Sequence, residues 1–119
     1  MFVFSGYIKS DGDVIIKVLK SFLKSSKIRD RYAVDIQREI KYEDDKIEIY
    51  IFDELIELNE PDHAYLFQAE FKGNLEEAET FIETIVSKLR EKEIEHMFEW
   101  SEVDDNDKEV GEEFEIRYP

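Results

Sequence analysis

The side chains able to do chemistry in this chain are overwhelmingly carboxylates: 31 Asp and Glu against 16 Lys and Arg, with two histidines and no cysteine. Among so many carboxylates some pair always falls at the spacing of a general acid and base, so no single pair marks an active site. The lack of cysteine removes disulfides, thiolate nucleophiles and sulfur-ligated zinc. The run Asp104-Asp105-Asn106-Asp107-Lys108-Glu109 has the composition of a calcium loop, but an EF-hand loop needs glycine at its sixth position. Counted from Asp104 the sixth residue is Glu109, and from Asp105 it is Val110. The run therefore reads as a solvated hairpin turn.

His96 stands three residues before Glu99, a spacing that puts the two on opposite faces of a strand. A lone histidine in a strand, such as His63 or His96, is more often structural than a metal ligand. Gly6, Gly12, Gly73 and Gly111 are scattered, and they form no nucleophile elbow, phosphate-binding loop or dinucleotide fingerprint. The reading is of a non-enzyme with no catalytic residue, metal ligand or cofactor.

Charge is unevenly placed. The net charge is −15, yet residues 1–41 carry nine Lys/Arg against five Asp/Glu, while residues 42–119 carry seven against 26. An acidic balance of this size opposes nucleic-acid binding, which needs a basic footprint on phosphates. It suits a basic protein partner. Part of the acidity has a local cause: Glu76, Glu77 and Glu79 suit the first turns of a helix, as Lys88, Arg90 and Lys92 suit its end.

These side chains hang on a regular alternation of strands and helices. Phe2 to Lys9 alternates as a strand. Ser10, with Asp13 three positions on, resembles a capping box for a helix whose apolar face is Ile15, Val18, Leu19, Phe22 and Leu23; Lys17, Lys20, Lys24 and Lys27 take the opposite face. Tyr32 to Tyr42 reads as one strand, and Glu43-Asp44-Asp45-Lys46 as the turn into another that carries Ile47, Ile49 and Ile51. Alternation slips near Asp53, and Leu55 to Pro61 reads as a connection. His63 to Lys72 is a fourth strand. Asn74, with Glu77, caps a second helix with the stripe Leu75, Ala78, Phe81, Ile82, Ile85, Val86 and Leu89. Ile94 to Val103 and the segment around Phe114, Ile116 and Tyr118 complete six strands.

The predicted fold is α+β: a two-layer sandwich of two βαββ units of ferredoxin-like type, with a mostly antiparallel six-stranded sheet and both helices on one face. The 119 residues make one domain, with an internal repeat of 1–54 and 63–119 supported by apolar matches at a constant offset of 63. The open face would then present Tyr7, Tyr50, Phe52 and Leu66, a composition suited to a protein interface.

The N-terminus lacks a basic region followed by a long apolar stretch, and no apolar run approaches membrane-spanning length, so the expected location is the cytoplasm, without membrane contact. The expected function is binding a basic protein, in the manner of an inhibitor or regulator. The profile is similar to that of bacterial immunity proteins, which neutralise toxins such as nucleases. The expected contacts are Glu99, Glu102, Asp104, Asp105, Asp107, Glu112 and Glu113, with Trp100 and Tyr118 as aromatic anchors. A small-molecule regulatory domain with a cleft between the repeats is the competing expectation. The lysines of the first helix, facing the acidic half of another copy, also allow a homodimer.

Overall fold

The computed structural model describes residues 1–32, 38–53 and 64–119. The chain order is β1 (Phe2–Ile8), α1 (Gly12–Lys20), a single 3-10 turn (Ser25–Lys27), β2 (Ile28–Tyr32), β3 (Arg38–Glu43), β4 (Ile47–Asp53), β5 (Tyr65–Phe71), α2 (Leu75–Glu91), β6 (His96–Val103) and β7 (Glu109–Tyr118). The fold is α+β. Among the described residues seven strands form one sheet in the order β2-β3-β4-β5-β1-β6-β7, and every neighbouring pair is antiparallel.

The sheet has seven strands where the sequence predicted six. Where the sequence reads one strand from Tyr32 to Tyr42, the described residues hold β2 at Ile28–Tyr32 running back against β3 at Arg38–Glu43, with Tyr32 opposite Arg38. The reason is burial. β2 is an edge strand whose residues are exposed apart from half-buried Ile28, so it lacks the apolar alternation that announces a half-buried strand. Val34, Asp35, Ile36 and Gln37 of that reading lie outside the described residues, as do His63 and the predicted connection Leu55–Pro61.

Alternation does decide the faces. Phe2, Phe4 and Ile8 of β1, Ile49 and Ile51 of β4, Tyr65, Phe67 and Phe71 of β5, and Phe98 and Trp100 of β6 are buried in one cluster with Ile15 and Leu19 of α1 and Phe81, Ile82 and Ile85 of α2. Both helices therefore cover the same sheet face. Phe81 meets Phe4 edge-on at 5.4 Å and Phe71 stacked at 5.6 Å. Phe67 meets Phe98 at 5.0 Å.

Helix starts follow local chemistry. Asn74 Oδ1 accepts from the Glu77 amide and Glu77 Oε1 accepts from the Asn74 amide, a closed capping box. At α1 the cap is Asp11 instead of Ser10: its Oδ1 accepts from the Val14 amide at 3.0 Å. α1 also ends earlier than its apolar stripe, at Lys20. Phe22 and Leu23 pack on the core from beyond the helix, half-buried.

At the centre of the sheet Gly6 permits close approach of β1 and β6. A Cβ there would collide with the Met97 carbonyl oxygen. About the central β1–β5 pair, β4 and β3 occupy on one side the places that β6 and β7 occupy on the other.

Candidate functional site

The sheet face opposite the helices carries three rows of cross-strand neighbours. The first runs Arg31, Glu39, Phe52, Leu66, Tyr7, Met97, Arg117; the second runs Arg29, Lys41, Tyr50, Gln68, Ser5, Glu99, Glu115. The third runs Glu43, Glu48, Glu70, Val3, Ser101, Glu113. The predicted open-face residues Tyr7, Tyr50, Phe52 and Leu66 all fall on this face, and all are half-buried. Tyr50 stacks on Phe52 at 4.8 Å.

Charge changes sign across the face. At the β2–β3 side the Tyr50 hydroxyl donates to Glu39 Oε1, and Arg31 Nε donates to Glu39 Oε2, each at 2.9 Å. The Tyr50 hydrogen bond, with Arg31 second, lowers the Glu39 pKa. Lys41 Nζ sits 5.1 Å from the Tyr50 ring. At the β6–β7 side Glu99 is directly opposite Glu115, a like-charge pair that costs stability where no cation attends it. Arg117 Nε donates to Glu115 Oε1 at 2.6 Å.

Two hollows lie on this open face. A groove of about 710 Å³ has Lys27, Arg29 and Lys41 along one part of its wall and Asp45 and Glu48 along another, over Tyr50 and Gln68. A shallower hollow of about 250 Å³ straddles β4, β5 and β1, lined by Val3, Ser5, Glu48, Tyr50, Gln68 and Glu70. The second spans the β1–β5 pair, which joins the two halves of the chain. Arg29, Lys41 and Gln68 carried no motif in the sequence. Only the cross-strand register brings them together.

The predicted contact residues divide between the two faces of the sheet. Glu99 and Glu113 are on the open face. Trp100 and Tyr118 are on the helix face, and Glu102 is at its rim beside Phe2. Trp100 is 8% exposed, stacked on Phe4 at 5.8 Å and on Phe114 at 5.6 Å. It is a core residue, and it does not offer its ring to a partner. Tyr118 is half-buried, stacked on His96 at 5.7 Å with Arg90 against its ring. Asp105, Asp107 and Glu112 are exposed. Asp104 holds the turn: its Oδ1 accepts from the Asn106 and Lys108 amides. Asp107 takes a positive φ of 59° as the hairpin reverses, and Gly111 takes 84° at the bulge that shifts the β6–β7 register.

His96 is wholly buried. Its Nδ1 lies 2.8 Å from the Ile94 carbonyl oxygen, so Nδ1 carries the proton and donates. Nε2 meets no donor among the described residues. Burial lowers its pKa. On the same face, at the β2–β3 side, Arg38 donates to both oxygens of Asp30, at 2.9 and 2.7 Å, and to Asp13 at 2.9 Å. The Arg38 hydrogen bond lowers the Asp30 pKa.

Among the described residues no group of three or more His, Asp or Glu is placed to hold a metal ion, and no helix is long and apolar enough to cross a membrane. No protein-family model, curated protein or solved structure matches the chain.

Proposed function

We propose that this chain is a non-catalytic binding protein that inhibits or regulates a basic protein partner, as an immunity protein neutralises a toxin. The observation that carries the reading is the β6–β7 hairpin. Between His96 and Tyr118 it holds nine carboxylate residues and two cations, and its tip and outer strand are exposed. Helix capping and helix dipoles explain none of this acidity. A field of one sign at an exposed edge speeds encounter with a basic surface and rejects acidic ones. The contacts are Glu102, Asp105, Asp107, Glu112 and Glu113, with Glu99 at the margin of the open face. A nuclease domain, basic because it must bind phosphates, is a partner of the right chemistry. The binding takes place in the cytoplasm. On this reading the fold is a two-layer sandwich of ferredoxin-like type: the central strands run β4-β5-β1-β6, with α1 and α2 on one face, and β2, β3 and β7 extend the sheet.

The test is capture of the partner from the native cell. Immobilised protein should retain a basic protein at low salt and release it at high salt. The triple charge reversal Asp105→Lys, Glu112→Lys, Glu113→Lys should abolish retention, and the purified chain should inhibit the captured protein's activity. Retention indifferent to salt and to charge reversal would reject the reading.

A second reading rests on the hollow across β4, β5 and β1, which supports a small-molecule regulatory domain with its cleft between the two halves. A metabolite panel that raises the melting temperature of the wild type but not of Tyr50→Ala would favour it.

A further inference from the structure

β7 closes one side of the sheet. It pairs only with β6, so among the described residues its outer backbone edge has no partner. A bulge at Gly111 and Glu112 shifts its register on β6, and beyond it Glu113–Tyr118 runs regularly, the length of an ordinary strand. An unpaired edge of this length is a template for another strand.

The two sides of that edge differ. Toward the open face it offers Glu113, Glu115 and Arg117; Glu115 stands beside Glu99 and accepts from Arg117. Toward the helix face it offers Phe114 and Ile116, which pack on the core but stay half-buried. The layer beneath is already ordered, because Phe114 stacks on Trp100 and Trp100 on Phe4. A rigid receiving strand adds little ordering cost to binding.

Charge then selects the occupant. A second copy's β7 laid antiparallel so that Glu113 meets Glu115 would bring carboxylates against carboxylates, which is unfavourable. A register that sets Arg117 against Glu113 opposes Glu115 to itself, and one that sets Arg117 against Glu115 leaves a shorter paired stretch. A second copy's β2 carries Arg29 and Arg31. However, neighbouring strands alternate in direction across seven strands, so β2 and β7 run the same way. Joining them with the helices kept on one side gives a parallel pairing limited by the five residues of β2, the weaker geometry.

We propose that the β7 edge captures an extended segment of the basic partner as an eighth strand. The segment alternates Lys or Arg with apolar residues. Its cations lie beside Glu113 and Glu115, adding to the one cation, Arg117, that already attends the Glu99–Glu115 pair, and its apolar side chains extend the Phe114–Ile116 row. Main-chain hydrogen bonds supply affinity and the alternating side chains supply choice. The inference rests on the basic-partner reading and adds the mode of contact.

The probes are three peptides: one of alternating lysine and valine, its glutamate–valine counterpart, and the lysine–valine peptide with alternate amides N-methylated. The lysine–valine peptide should bind saturably and protect β7 amides from hydrogen exchange. Methylation, which leaves charge and protein untouched, should weaken it at least about tenfold, the equivalent of one lost main-chain hydrogen bond. The variant Glu113→Lys, Glu115→Lys should lose the lysine–valine peptide and gain the glutamate–valine one. Equal affinity of the methylated and unmethylated peptides would overturn strand addition while leaving an acidic docking surface intact. Protection at β2 together with concentration-dependent growth in mass would overturn it in favour of a second copy. Salt-sensitive capture of a basic partner with no peptide binding would reject the edge alone; absence of such capture would reject the basic-partner reading itself.

Discussion

Trp100 and Phe114 face each other across the β6–β7 pair, their rings stacked with centroids 5.6 Å apart and planes 18° from parallel. This contact fastens the outermost acidic strand to the hydrophobic core. It follows that Trp100→Ala removes both packing area and the support of β7, and we expect a loss of about 3 kcal/mol of unfolding free energy. Trp100→Phe, which keeps a ring on Phe4, should lose about 1 kcal/mol. Denaturant titration of both variants measures the difference, and equal losses would mean that the stack is not what holds the strand.

His96 makes stability depend on mildly acidic pH. Its ordinary value is 6.5, and burial lowers it in the folded chain. An unfolded chain therefore takes up a proton at this residue at a pH where the folded one does not, and stability falls as pH drops below about 6.5. The loss stops growing once the pH passes the folded value. His96→Phe should flatten the pH dependence in that window, as read from melting temperatures. Asp30 acts lower on the scale: Arg38 holds its pKa below 3.8, so its contribution is complete above that value and is lost as pH falls beneath it.

Arg38 and Lys46 form ion pairs of different worth. Arg38 is 12% exposed and grips Asp30 with two nitrogens, whereas Lys46 and Glu77 are 61% and 41% exposed. Arg38→Met should cost about 1–2 kcal/mol, because a half-buried guanidinium loses its charged hydrogen bonds to Asp30 and Asp13. Lys46→Met should change stability by less than about 1 kcal/mol. Thermal unfolding in low and high salt separates the two, since only the exposed pair is strongly screened.

Gly6→Ala should destabilise by about 2 kcal/mol or more, because the added Cβ meets the backbone of β6, which cannot rotate away. Gly111→Ala meets no atom within 4 Å and is opposed only by its positive φ, so it should cost about 1 kcal/mol. A larger loss at Gly111 than at Gly6 would contradict the close approach of β1 and β6.

Much of the fold was legible because it is local. The Asn74–Glu77 capping box, the α2 stripe and the inward residues of β1, β4 and β5 all follow from spacing within a few residues. β2 was missed because an edge strand exposed on both sides needs no apolar alternation, and its Arg-Asp-Arg core resembles a loop. Ser10 and Asp11 are of residue types that accept an amide hydrogen equally well, so residue type alone does not decide that Asp11 caps α1. Which of the candidate residues share a face was only partly legible. Glu99 and Trp100 are adjacent in the chain, and for that reason the pleat sends them to opposite faces.

Composition, the period-two and period-3.6 patterns and the run of acidic residues after Glu95 decide which side chains are buried and which meet water. They act over a few residues and need no knowledge of neighbours. Strand order is a different matter. β1 lies between β5 and β6, more than fifty residues away in the chain, because that arrangement lets one apolar face close over both helices. This long-range pairing makes β7 an edge and puts Glu115 beside Glu99. It also gathers Arg29, Lys41 and Gln68 into one groove, and sequence distance records none of these neighbours.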